Sequence, residues 1–158
     1  MEGARPATRE DGERVAALCR QALDELQGAR GGSLYARRET GLVAKALLRP
    51  GGLDGLLAAP RRKVLVGTLD EEVVGFAVGH VDDVGEAALG IVDGCYVEGE
   101  ARGVGVGRAL LEGLLAFFSG SACRGIDATA LPGDRATKSF FEAAGFKARL
   151  LTLHRPIQ

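Results

Sequence analysis

The sequence has little in it that points to oxidation, metal binding or membranes. Its three cysteines, Cys19, Cys95 and Cys123, are odd in number and far apart, and no CxxC pair occurs. That argues against a disulfide framework and against a zinc site. Cys19 falls at an apolar position of a helical pattern and Cys95 in an apolar strand, so both read as small buried hydrophobes. No apolar run approaches the roughly 20 residues of a membrane span. The opening Met1–Pro6 lacks a signal-peptide pattern. Charge of neither sign prevails: 20 basic residues stand against 21 acidic ones, a formal net charge of −1. Such a balance exerts no general pull on nucleic acid or on an anionic membrane. Lysine is scarce, with only Lys45, Lys63, Lys138 and Lys147, so any local basic patch would be built from arginine. The expectation is a soluble, cytoplasmic protein with no metal, nucleic-acid or membrane partner. A length of 158 residues fits one domain, 1–158, and leaves no room for two full cores.

What is present is periodicity. Residues 4–7 suit a short strand. Thr8 reads as a helix N-cap with Asp11 three residues on, a variant of the capping box. Val15, Leu18, Cys19, Ala22, Leu23 and Leu26 then share one face of a helix over 9–27. A second helix is expected in the glycine-punctuated stretch 33–60, stopped by Pro50-Gly51-Gly52, with a short turn of helix at 53–59. The period then changes to two. Valine-rich runs at 63–69 and 73–81 and a third apolar run at 88–97 through Leu89, Ile91, Cys95 and Val97, joined by short polar turns, predict an antiparallel meander. A glycine-rich connection leads into a helix carrying Leu110, Leu111 and Leu114. A strand at 126–131, a helix at 135–144 capped by Asp134 and ended by Gly145, and a final strand at 146–154 complete the reading. The order β-α-α-β-β-β-α-β-α-β describes an α/β (α+β) fold. It is a single mixed, twisted sheet of about six strands with helices on both faces, and a right-handed crossover spans 89–131.

The segment Arg102-Gly103-Val104-Gly105-Val106-Gly107-Arg108 joins a strand to a helix. A helix start offers unpaired N–H groups and a positive dipole end, and glycine lets a ligand approach the backbone closely. Three alternating glycines at that junction favour a phosphate or pyrophosphate ligand over an idle turn. A dinucleotide fingerprint fails on residues, since the third glycine would fall on Arg108 or Leu110. A Walker loop fails because no lysine follows.

Here the sequence resembles the GNAT superfamily of N-acetyltransferases over nearly the whole chain, most strongly from Ile91 to Phe146. Arg102, Gly105 and Gly107 match the family's coenzyme A signature. Asp134-Arg-Ala-Thr-Lys-Ser-Phe-Phe-Glu-Ala-Ala-Gly-Phe146 is similar to its second signature through Glu142, Gly145 and Phe146. The resemblance implies acetyl-CoA as co-substrate, with backbone around Gly103–Arg108 holding the pyrophosphate. Cys95, Tyr96 and Val97 would pair with the pantetheine arm as an added strand. The helix holding Asp134, Ser139 and Phe141 would lie along the thioester. The acceptor would be a small-molecule or protein amine, met by the segment 28–60 that contains Tyr35, Arg37 and Arg38. Family members are often dimeric, so a homodimer is admitted. Phe141 stands where the family often has a tyrosine that protonates the departing thiolate, and Ser139 and Tyr96 are the nearest substitutes. Asp134 replaces an asparagine.

An attacking amine must lose a proton. Asp93, in an apolar strand, is either the acceptor of that proton or a paired structural carboxylate. Glu98 and His80 are further candidates, each with an ordinary reading at a solvated strand end. Two functions from different classes fit: an N-acetyltransferase working by direct attack of the amine, and a non-catalytic acyl-CoA-binding sensor or partner module, which the loss of tyrosine at Phe141 favours.

Overall fold

A computed structural model describes residues 1–158. Five strands form one sheet in sequence order: β1 (Glu2–Pro6), β2 (Arg62–Leu69), β3 (Glu72–Val84), β4 (Ala87–Val97) and β5 (Cys123–Asp127). The first four are antiparallel neighbours, and β5 runs parallel to β4. The meander read from the sequence is thus present, and the sheet is mixed with helices on both faces. Parallel neighbours need a long crossover, supplied here by α5 (Val106–Gly120).

Four helices precede the meander: α1 (Gly12–Gln27), α2 (Gly32–Arg38), α3 (Gly41–Leu48) and α4 (Gly52–Ala58). The capping box at the entry to α1 forms as the sequence suggests. The Thr8 N–H donates to Asp11 Oδ2 at 2.8 Å, and Arg5 donates to both carboxylate oxygens at 2.8 and 2.9 Å. Where one helix is expected before Pro50 there are two, α2 and α3, parted at Glu39–Thr40. The Thr40 hydroxyl donates to the Ala36 carbonyl at 3.1 Å, a local bond that competes with helix continuation.

The sheet separates two apolar clusters. Val15, Leu18, Leu47 and Leu53 of the early helices pack on Val64, Val66, Phe76 and Val78. On the other face Leu110, Leu111, Leu114 and Phe118 of α5 pack on Leu65, Ala77, Val81 and Val92, joined by Phe141 of α6 (Arg135–Ala143).

Two expectations are corrected. The fifth strand spans Cys123–Asp127 rather than 126–131, and no strand forms at 146–154, so the sheet has five strands rather than about six. Phe146 stays packed on the core, but Leu150, Leu151 and Leu153 beyond it are 71%, 80% and 90% exposed. Their strand-like pattern meets no surface of this chain that would bury it.

Candidate active site

The site begins with an irregularity in β4. Its pairing with β3 runs Val78↔Gly94 and then Gly79↔Val92, leaving Asp93 as an extra residue without a partner. Such a bulge bends the strand and redirects side chains. On the other edge of β4, pairing with β5 ends at Ile91↔Asp127, although β4 continues to Val97. Beyond these residues the two strands part. A cavity of about 1050 Å³ fills the gap and reaches the glycine turn.

Most residues expected at the site line this cavity: Asp93, Cys95, Tyr96 and Val97 from β4, Arg102, Gly103, Gly105, Gly107 and Arg108 from the turn, and Asp134 and Phe141 from α6. Others stand apart. Val106 is 1% exposed in the core and Val104 half-exposed outside, so either meets a ligand only through its backbone. Ser139 lies on the exposed side of α6. Glu98 pairs with Arg14 of α1 at 2.9 Å, away from the cavity wall.

Gly105 is the N-cap of α5 with φ +102°, and Gly103 has φ +81°. Both values are costly for any residue with a Cβ. They turn the backbone so that the open end of α5 faces the cavity. Arg102 sits beside it, its Nε donating to the Val97 carbonyl at 2.7 Å and its Nη2 reaching Glu25 at 2.8 Å. Its guanidinium lies 5.4 Å from the centre of the Tyr96 ring. The Tyr96 hydroxyl donates to the same glutamate at 3.0 Å. Burial, then Glu25, pushes this phenol up to about 12.

Asp93 and His80 come together. His80 Nδ1 lies 2.8 and 2.9 Å from the two Asp93 oxygens, and its Nε2 is 3.1 Å from Asp82. Arg62 reaches Asp93 at 3.3 Å. Burial holds the Asp93 carboxyl above the usual aspartate value, although His80 and Arg62 pull it down. Burial also lifts the Cys95 thiol to about 12. A thiol so hard to ionise makes a poor nucleophile, which argues against an acyl-cysteine at this position. The Asp134 carboxylate accepts from the Thr137 N–H at 3.1 Å and from its hydroxyl at 2.7 Å, so the cap survives the change from asparagine. Phe141 is 9% exposed, its ring 5.2 Å from those of Phe140 and Phe146.

Three wall residues had weak or no signals in the sequence. Tyr35 faces the cavity beside Thr129. Burial first, then the charges of Glu39 and Asp93, raises its phenol, against a hydrogen bond with Thr129 that lowers it. Glu25 carries no local signal in the sequence, and its tertiary contacts with Arg102 and Tyr96 mark it. No group of three or more His, Cys, Asp or Glu side chains is arranged to hold a metal ion.

A mixed sheet whose parallel pair parts above a glycine-rich helix start defines the acetyltransferase class of fold. The chain matches the Acetyltransferase (GNAT) family model over residues 34–146 and belongs to that family. Among curated proteins no relative matches. Solved structures share the fold at low identity. A mutant of the BH1408 protein from Bacillus halodurans is 19% identical over 98% of this chain and 99% of its own, with a TM-score of 0.77. A transcriptional regulator from Bacillus halodurans C-125 is 20% identical over 99% and 100%, with a TM-score of 0.73. The aminoglycoside N-acetyltransferase AAC(6')-Iy in complex with CoA is 18% identical over 99% and 95%, with a TM-score of 0.73.

Proposed function

We propose that the protein is an acetyl-CoA-dependent N-acetyltransferase in which a primary amine attacks the thioester directly. The observation that carries this is the parting of β4 from β5 above Ile91 and Asp127, which opens onto the backbone amides at the start of α5. A pyrophosphate suits the turn Arg102–Arg108, where dipole, amides and two arginines converge. The pantetheine amides suit the free edge of β4 at Cys95–Val97, as an added strand. The amine enters from the side of α1 and α2, where Asp93 accepts its proton with His80 behind it. Neutralising the ammonium is favoured by the raised affinity of Asp93 for a proton. Direct attack needs orientation, a proton acceptor and stabilisation of the oxyanion, and no covalent enzyme intermediate. The AAC(6')-Iy likeness supports a small-molecule amine as the acceptor class, and a protein amine fits the same chemistry.

The test is thiol release from acetyl-CoA over a panel of primary amines, alongside calorimetric binding of coenzyme A. Turnover with at least one amine is expected. Tight binding without turnover on any acceptor would move the assignment to a non-catalytic acyl-CoA-binding module, the reading that Phe141 favours. No binding of coenzyme A would overturn both.

A further inference from the structure

We infer that the acceptor is a small primary monoamine on an uncharged, apolar body, seated in the half of the cavity walled by α1, α2 and α3. The inference rests on the acetyltransferase reading and adds the chemical class of the second substrate. The amine nitrogen forms an amide bond as the thioester C–S bond breaks, its proton passes to Asp93, and coenzyme A leaves as the thiolate. The wall that the early helices give the cavity is apolar. Ala22, Leu23 and Leu26 come from α1 and Val43 and Leu47 from α3, joined by Phe76 of β3.

Some of these side chains face the cavity only as the margin of the core, since Leu23, Val43, Leu47 and Phe76 pack in the cluster on that face of the sheet. Ala22, Leu26 and Tyr35 differ. They line the cavity partly buried, yet they pack on neither apolar cluster. Ala22 and Leu26 stand four apart on α1 and so share one stripe of its surface. That stripe and the Tyr35 ring offer their apolar area to whatever fills the cavity.

The charges of the cavity lie elsewhere. Arg102 and Arg108 belong to the glycine turn, Glu112 stands one helical turn past Arg108 on α5, and Asp134 is bound to Thr137 as the cap of α6. On the helical wall Glu25 is the one charged side chain, and Arg102 and Tyr96 occupy it. Arg37 and Arg38 are exposed and line no part of the cavity. At the reacting end Asp93 is already shared by His80 and Arg62. One amine can be met there. A second ammonium on the acceptor would find no carboxylate, and a carboxylate on the acceptor would find no cation. Either charge, desolvated and unpaired against this wall, costs more than the apolar contact returns. The wall therefore selects alkyl or arylalkyl amines over polyamines, aminoglycosides and free amino acids.

The compartment is also bridged. A Cβ built on Gly31, at the entry to α2, would lie 3.9 Å from Leu131 Cδ2. Tyr35 and Thr129 meet on the cavity wall close by. The chain before α2 thus reaches across to the segment after β5, which favours a small molecule over the surface of a folded protein.

The test compares acceptors of equal length on the full chain at saturating acetyl-CoA: hexylamine, hexamethylenediamine and ε-aminocaproate, with butylamine and an aminoglycoside alongside. From butylamine to hexylamine kcat/KM should rise about 4-fold per methylene. Hexylamine should exceed both end-charged analogues by about 10²-fold or more. Leu26→Asp should raise the ratio of diamine to hexylamine turnover about 10-fold or more; if that variant misfolds, the parent's panel decides alone. Calorimetry of the same amines on the coenzyme A-loaded chain reads the pocket without turnover and separates two failures. Hexylamine bound in preference to the diamine but acetylated at no rate would support the apolar pocket and overturn the acetyltransferase reading. The diamine, the amino acid or the aminoglycoside acetylated as well as hexylamine would overturn the inference and keep that reading. No binding and no turnover with any of these amines would overturn the inference as well.

Discussion

Replacing Gly105 by alanine separates the two roles of the glycine turn. At φ +102° an alanine costs about 1–3 kcal/mol. Space is a lesser matter, because the new Cβ would lie 3.2 Å from Cγ of Glu2, a flexible and exposed side chain. The strain therefore sits in the backbone. If the turn holds its shape, the variant melts lower by roughly 2–4 °C per kcal/mol, as for other domains of this size, and coenzyme A binds as before. If the turn relaxes, the amides at the start of α5 swing away. Losing one charge-assisted hydrogen bond, about 1.5–3 kcal/mol, then weakens binding roughly 10- to 150-fold. We expect the second pattern, because the turn has open space on the Gly103 side. Gly103→Ala, at φ +81° with nothing within 4 Å of the new Cβ, should behave similarly. Gly107→Ala is the control. It sits in helical backbone, and its Cβ would meet the Phe140 ring at 3.3 Å, a contact that a small ring shift relieves. Calorimetry with coenzyme A and thermal melting read both quantities. An unchanged Gly105→Ala in both assays, or a larger binding loss in Gly107→Ala, would refute the reasoning.

Three further outcomes are expected. Asp93→Asn should lower turnover about 10²- to 10⁴-fold. In the parent, kcat/KM should rise with pH through an apparent pKa above the usual aspartate value, since burial raises Asp93, and the variant's profile should lack that limb. Phe141→Tyr should raise kcat by up to ~10²-fold if thiolate protonation limits the reaction; steady-state thiol release measures it, and an unchanged rate removes that step from control. Asp11→Ala should cost about 1–3 kcal/mol by denaturant unfolding, combining a lost cap with an ion pair that Arg5 partly exposes to water. Hydrogen bonding from Arg5 lowers the Asp11 pKa. Its contribution is therefore full above the unfolded aspartate value and is lost as pH falls through the depressed folded one, so the variant's deficit should shrink in acid.

The meander was legible because valine alternation and polar turns are local signals, and the caps at Thr8/Asp11 and Asp134 were legible because they act over three residues. The glycine turn could be read because backbone geometry restricts its composition. The break between α2 and α3 was not, since Glu39 and Thr40 are both compatible with helix. The register of β5 was misjudged for an instructive reason. Ile126–Leu131 looks like the better strand, but pairing with β4 begins at Ala88↔Cys123 and ends at Ile91↔Asp127, so Ala128–Leu131 lie past the point where the two strands part. A bulge of one residue in Val92-Asp93-Gly94 has no compositional mark. Likewise nothing in the pattern told Glu98, tied to Arg14, from Asp93, turned to the cavity, because ion pairing across 84 positions is a property of the fold.

The early end of the β4–β5 ladder leaves main chain exposed at the heart of the molecule. Beyond Ile91 the peptide groups of β4 that face away from β3 have no strand to bond, and Arg102 claims one of them, the carbonyl of Val97. In a continuous sheet slow amide exchange reaches the strand ends; here it should stop partway along β4, with water as the partner of the rest. A ligand that supplies the missing strand would extend protection toward Val97, so occupancy could be read from deuterium uptake at a handful of backbone amides even when the acceptor amine is unknown.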